Sequence, residues 1–184
     1  VYKKQKLDRD DIIDITDFDV VSWLKTEMRM MLNEELARAY LIGDGRLAGS
    51  DDKINQDNIR PIAFDDDLYT IHVDVTVASA ATDDDKAKAF IRAVIKNRKD
   101  YKGSGNPTLF TTEDMLTNML LLEDELGHSL YADEAALARK MRVRNIVTVP
   151  VMEGTNGKGG HPLVGVVVNM GDYTVGADRG GAIN

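Results

Sequence analysis

The first long pattern of apolar positions predicts a helix over residues 17–42. Apolar side chains recur there at steps of three and four, which places them on one face of a helix. Thr16 or Asp17 is suited to cap its first turn, and Gly43 to end its last. The stripe consists of Val20 or Val21, Leu24, Met28, Met31, Leu32, Leu36 and Ala39. At 1.5 Å per residue the helix is about 36 Å long, which is typical of a beam rather than of one wall of a small core.

Shorter elements follow this helix. Residues 43–57 are rich in Gly and Asp and predict an exposed loop with solvated carboxylates. Residues 59–63 and 69–77 predict strands, and in the second strand apolar residues alternate with polar ones, as in a half-buried strand. The loop is therefore expected to lead into extended chain.

The rest of the chain mixes helices and strands. Helices are predicted over residues 84–100, 112–126 and 134–141, and Gly127 is expected to end the second of these. Strands are predicted over residues 108–111, 145–152, 163–169 and 173–177, with a hairpin-like loop at 153–160. Because the helices and strands do not alternate regularly, the fold class is α+β.

Composition narrows the class of protein. The chain has 184 residues, 43% of them hydrophobic, which is enough for one domain, or two lobes, with a real core. The net charge of −8 argues against a dedicated nucleic-acid-binding protein. With no cysteine there is no disulfide and no thiolate metal site. No apolar stretch approaches the ~20 residues of a membrane span.

The candidate chemistry is weak. His72, His128 and His161 lie far apart in the sequence and form no metal-binding spacing. The Gly-rich stretch 154–160 lacks the Ser or Thr that follows Lys in a phosphate loop, and Asn156-Gly157 indicates a hairpin turn. The runs at 65–67 and 83–85 are three aspartates each, typical of solvated turns or helix starts. No catalytic, cofactor-binding or metal-binding residue is predicted, and no enzyme activity or cofactor is expected.

An ordered set of motifs covers residues 18–178. The predicted long helix runs through NEELARAYL into Gly43, Asp44 and Gly45, and a short apolar stretch around Pro61 follows. The later motifs, in order, are Gly127 and Tyr131, then Pro150 at an apolar strand, and finally Gly171, Asp172 and Tyr173. In order and spacing the set resembles the major capsid proteins of tailed bacteriophages with the Hong Kong 97-type fold.

This resemblance implies an incomplete Hong Kong 97-type fold, with a long spine helix and a mixed α/β axial domain. Residues 1–64 would be a partial peripheral domain that holds the spine helix. Residues 65–177 would be the axial domain, and residues 178–184 would return toward the peripheral domain. Since family members carry an N-terminal arm, an extended loop and further strands, the chain is expected to be a fragment.

The function that the resemblance implies is structural. The protein would be the major capsid protein of a tailed phage or prophage, made in the bacterial host cytoplasm and assembled into the virion. Its partners would be copies of itself, in hexamers and pentamers of an icosahedral shell, together with scaffold or portal proteins. Packaged double-stranded DNA would be contacted without sequence specificity, and no membrane would be involved.

One loop is a candidate for the subunit axis. It contains Glu153, Asn156, Gly157 and Lys158, and an ordinary surface turn is the other interpretation of the same residues. Two other functions stay open from the sequence alone. One is a metal-dependent hydrolase that uses the Asp-rich loops, and the other is an acidic interaction module of unrelated fold.

Overall fold

The structure is a computed structural model that describes residues 20–47 and 49–176. The chain divides into two units, Val1–Asp65 and Asp66–Asn184. Helices and a small sheet occur together, so the fold class is α+β as predicted.

The first unit is dominated by one long helix, α1, at Val20–Leu41. The prediction of a long helix here is confirmed over the described residues, while positions 17–19 lie outside them. Gly43 follows the helix two residues after Leu41, and its φ of 82° lies in the left-handed region that favours glycine. Ile62–Phe64 forms a 3-10 turn that contacts α1, so the prediction of a strand at 59–63 was wrong. Pro61 precedes that turn and donates no backbone hydrogen bond, which suits a turn better than a sheet.

The second unit contains three helices. These are α2 at Asp83–Asn97, α3 at Glu113–Leu120 and α4 at Glu134–Met141. Each begins at a side-chain cap, and the three caps are Thr82, Thr112 and Asp133. These oxygens accept from first-turn amides that have no partner within a helix, which fixes where each helix starts.

Three short strands form one sheet. They are β1 at Thr108–Thr111, β2 at Ile146–Thr148 and β3 at Gly165–Val168. The strand order is β2-β1-β3, with β1 parallel to β2 and antiparallel to β3. Because β1 is paired on both sides, its Leu109 lies opposite Ile146 on one strand and Val167 on the other.

The core of the second unit lies between the helices and the sheet. Gly165 on β3 allows α2 to approach closely, because a Cβ there would lie 2.6 Å from the ring of Phe90. The buried residues of this core are Ala87, Phe90, Ile91, Leu109, Met115, Leu116, Met119, Leu122, Leu137, Ala138, Met141, Val143 and Ile146. One continuous cluster therefore joins all three helices to β1 and β2.

Two strand predictions failed in the second unit. Residues 71–77 have no regular secondary structure and pair with no described strand, so the predicted strand at 69–77 was wrong. Tyr173–Gly176 likewise forms no strand, and Ala177 lies outside the described residues. The alternation of apolar and polar side chains favours an extended backbone, but a strand also needs a neighbour to bond.

Other elements are shorter than predicted. Helix α3 ends at Leu120 rather than at residue 126, and Gly127 belongs to a turn that follows it. The strand at 145–152 is limited to β2, because Pro150–Met152 forms a 3-10 turn that begins with a proline. The strand at 163–169 is confirmed in its central part, as β3.

Candidate assembly surfaces

Helix α1 buries few of its side chains. Only Ala39 and Leu41 are buried among its 22 residues. Val21 and Met30 are 62% and 50% exposed, and Met31 of the predicted stripe is also exposed. The predicted apolar stripe is therefore only partly covered within this chain.

The Gly-Asp-Gly turn after α1 is organised around a buried carboxylate. Asp44 accepts hydrogen bonds from the backbone amides of Ile54, at 2.6 Å, and of Arg46, at 3.1 Å. The ammonium of Lys53 lies 3.3 Å from the same carboxylate. The expectation that the carboxylates of this loop are all solvated was wrong for Asp44, because these donors hold it inside the loop.

The charge of Asp44 is stabilised by these contacts. Burial by itself raises the pKa of the Asp44 carboxyl. The amides of Ile54 and Arg46, together with the Lys53 ammonium, outweigh burial and hold the pKa below its ordinary value. Arg46 also bonds Glu35 of α1 at 2.8 Å, so the turn is tied to the helix before it.

Glycine is required at Gly45 by its surroundings. Its φ is 69°, and a Cβ there would collide with the guanidinium of Arg38. Pro61 is buried beside Gly43, since a Cβ at Gly43 would lie 3.5 Å from its ring. The first three motif residues and Pro61 therefore belong to one local cluster.

Residues 71–77 expose several apolar side chains. Ile71, Val73 and Val77 are exposed, whereas Val75 is half-buried. None of residues 71–77 takes part in a strand with another described residue. These apolar groups are therefore left in contact with water within this chain.

The motif around Gly127 forms a tight turn. The carboxylate of Asp124 accepts from the amides of Leu126 and His128, at 2.8 and 2.9 Å. The His128 amide, followed by that of Leu126, holds the pKa of Asp124 below its ordinary value. Gly127 adopts a φ of 79° in this turn, and Tyr131 packs against the core beyond it.

The motif at Gly171, Asp172 and Tyr173 anchors a distant loop. Asp172 accepts hydrogen bonds from the amide and the hydroxyl of Ser104, at 2.7 and 2.5 Å. Asn169 donates to the Ser104 carbonyl at 3.1 Å and accepts from the Gly171 amide at 3.2 Å. The loop between α2 and β1 is thus fixed to the end of β3.

The hairpin proposed for the subunit axis is partly tied down. Asn156 pairs with Pro162, and the Gly157 amide donates to the carbonyl of His161 at 2.7 Å. Glu153 is exposed and donates its amide to the carbonyl of Pro150. The exposed Lys158 lies 3.0 Å from Asp67, so an ion pair holds the hairpin tip to the aspartate run at 65–67.

One of the aspartates that could suggest a metal, Asp67, already has two side-chain partners. Asp67 accepts from Lys158 and also lies 3.0 Å from Nδ1 of His72. The Lys158 ammonium, followed by His72, holds the pKa of Asp67 below its ordinary value. Across the described residues, no group of three or more His, Asp or Glu side chains is placed to hold a metal ion. Within the same residues, no helix is both long and apolar enough to cross a membrane.

A basic cleft, which the sequence did not predict, lies between the end of α2 and the end of α4. It has a volume of about 490 Å³, and its charged and aromatic lining is Lys96, Arg98, Lys99, Tyr101 and Arg142. Arg98 stacks on Tyr101, with 4.3 Å between its guanidinium carbon and the ring centroid. These residues come from two stretches of sequence that only the fold brings together.

Comparisons with protein-family models, with curated proteins and with solved structures found no match for this chain.

Proposed function

We propose that this chain is the shell-forming part of a tailed-phage or prophage major capsid protein, which self-assembles into hexamers and pentamers of an icosahedral shell around double-stranded DNA. In this proposal α1 is the spine helix of a Hong Kong 97-type fold, and the second unit is its axial domain. Scaffold or portal proteins are further partners, and the virion is its final location.

The observation that carries the proposal is the exposure of α1. A helix of 22 residues with two buried side chains belongs to no bundle among the described residues. Exposed apolar groups such as Val21 and Met30 lose contact with water when another subunit covers them. A shell protein needs several such surfaces, because each of its contacts is repeated by symmetry.

The second unit supports the same proposal. It has its own core and its own sheet, and its turns are built by structural hydrogen bonds such as those of Asp172 and Asp124. A module of this kind presents its faces to identical modules and needs no reaction centre.

Negative-stain electron microscopy of the purified protein at increasing concentration tests the proposal. Shells, tubes or ring-shaped capsomers are the expected result. Monomers that persist up to the solubility limit would contradict it. A metal-dependent activity that is lost on chelation would favour the hydrolase instead, and salt-sensitive binding to a basic partner without self-assembly would favour the acidic interaction module.

A further inference from the structure

The basic cleft holds more cations than carboxylates. Lys96, Arg98 and Arg142 form no ion pair with any described residue, and Lys99 only approaches Asp100, at 4.0 Å. The carboxylate of Asp172 lies beside Tyr101 and Gly103 of the lining and is bonded to Ser104. Four cations and one such carboxylate leave an excess of positive charge that an entering anion would offset.

Arg142 reaches the cleft because it caps the end of α4. It adopts a φ of 60° and a ψ of 39°, the left-handed conformation common at helix C-termini, and its amide donates to the Arg139 carbonyl at 3.2 Å. This helix end places a second guanidinium at the cleft, in addition to that of Arg98.

The opposite end of α2 carries negative charge. Asp83 and Asp84 lie in its first turn, where Asp83 pairs with Lys86 at 2.7 Å, and Glu113 and Asp114 lie in the first turn of α3. The two turns are near each other, because Asp114 acts on the charge of Lys86 in α2. All four acidic residues are exposed. We call this group, Asp83, Asp84, Glu113 and Asp114, the acidic end.

The acidic end and the basic cleft cannot meet within one molecule. Helix α2 has 15 residues and, at 1.5 Å each, is about 22 Å long. Opposite charges at the two ends of one rigid element fit a head-to-tail contact between copies. Such a contact closes into a ring when a whole number of equal rotations between neighbours completes one full turn.

We infer that the basic cleft of one subunit binds the acidic end of α2 and α3 from a second copy of this chain. This inference rests on the proposed function, since it names a contact by which subunits form a ring. Asp84 enters the cleft near Lys99 and Arg98, and Glu113 and Asp114 face the rim. Asp85 stays outside the contact, because its carboxylate bonds Thr82 in the capping box.

The dimensions of the cleft favour this occupant over DNA. A volume of about 490 Å³ accommodates a few side chains, whereas a duplex needs a long basic surface. The loop that lines the cleft also offers no free Ser104 amide to a phosphate, because that amide already bonds Asp172. Carboxylates on short side chains therefore fit the site better than a nucleic-acid backbone.

Cross-linking between single-cysteine variants tests the contact directly, since the chain has no cysteine of its own. Asp84→Cys protein is mixed with Lys99→Cys protein and treated with a short bis-maleimide. The matched control replaces Lys99→Cys with Lys88→Cys, an exposed lysine that lies on α2 about 16 Å along the helix from residue 99. The expected result is a cross-linked dimer at the 84–99 pair, well above the control and above each variant alone.

Charge reversal provides an independent readout by sedimentation velocity. Asp84→Lys and Lys99→Glu should each weaken self-association more than about tenfold, because like charges then face one another. An equimolar mixture of the two variants should regain association, and high salt should weaken that of the wild type.

Each outcome decides a different claim. Rings or shells that form without the 84–99 cross-link would overturn this contact and leave the proposed function standing. The cross-link without rings or shells would support the contact and contradict the capsid proposal. Charge reversal that leaves self-association unchanged would overturn the contact. If Lys99→Glu also abolished binding of duplex DNA in a gel-shift assay, the cleft would be a nucleic-acid site instead. No association at any concentration contradicts both.

Discussion

Asp172 accepts two hydrogen bonds from Ser104, a residue 68 positions earlier, one from the amide at 2.7 Å and one from the hydroxyl at 2.5 Å. A single carboxylate therefore holds the α2–β1 loop against the turn after β3. That loop also carries Tyr101, which lines the basic cleft and donates to the Ser104 carbonyl at 3.3 Å. Loop position and cleft shape thus depend on the same carboxylate.

Replacing Asp172 with Ala should lower the free energy of unfolding by about 1 kcal/mol, because two bonds to a charged acceptor in an exposed position are lost. Urea denaturation followed by circular dichroism measures the change. Ser104→Ala is the comparison, since it removes the hydroxyl's bonds to Asp172 and Asn169 and keeps the amide bond to Asp172. Unchanged stability in Asp172→Ala would show that the carboxylate does not anchor the loop.

Asp44→Asn should destabilise the first unit by roughly 2 kcal/mol, since the buried site is built from donors and an amide nitrogen cannot accept from them. The measurement is the urea midpoint. Asp51→Asn is the control, because Asp51 is an exposed carboxylate of the same loop. Equal effects at the two positions would contradict the role given to Asp44.

The contribution of Asp44 should depend on pH in a defined direction. Contacts with Ile54, Arg46 and Lys53 outweigh burial, so the pKa is lower in the folded state than in the unfolded chain. The folded protein therefore gains stability from this group above the ordinary value of 3.8 and loses it as the pH falls through the folded pKa. The difference in unfolding free energy between wild type and Asp44→Asn should shrink over that interval. A difference that is constant with pH would refute the assignment.

Gly165→Ala should cost about 1–3 kcal/mol, because the added methyl group overlaps the ring of Phe90 in the core. Thermal unfolding measures the loss. In a Phe90→Leu background, Gly165→Ala should lower the free energy of unfolding by less than it does in the wild type, since the smaller Leu side chain leaves room for the methyl group. Gly176→Ala is the control, because a Cβ there meets no atom within 4 Å and the effect should be close to zero.

Replacing exposed apolar residues of α1 should separate stability from assembly. Val21→Lys and Met30→Lys should change the free energy of unfolding by less than about 0.5 kcal/mol, as exposed substitutions usually do. The same variants should form fewer shells or rings in electron micrographs, because a charge is then placed in the subunit contact. Lys25→Gln serves as the exposed control on the same helix. Full assembly by both lysine variants would remove α1 from the proposed interface.

The sequence predicts the elements best where a local signal is complete. Helix α3 starts at Thr112 because the hydroxyl caps the Met115 amide, and its end at Leu120 is less predictable. The apolar stripe continues to Leu126. The Asp124 carboxylate, however, accepts hydrogen bonds from the amides of residues 126 and 128, and the chain forms a turn instead of a helix. Leu126 is consequently 81% exposed. A side-chain hydrogen bond here outweighs the helical periodicity.

Residues that come together only through the fold could not be predicted. The capping box of Thr82 and Asp85 is a short sequence signal, but the start of this helix was predicted from its aspartates alone and Thr82 was missed. The basic cleft combines Arg98 and Arg142, which are distant in the sequence and adjacent only after α2 and α4 pack on one core. Residues 71–77 show the same limit, because their alternating pattern does not specify which strand would pair with them.

The strand order has a consequence for synthesis. Strand β1 is the centre of the sheet, yet its two neighbours are made later, and the last of them ends at Val168. While a ribosome is still translating the region between β1 and β3, β1 lacks one hydrogen-bonded edge. The second unit therefore closes its sheet late, only after Val168 has been made.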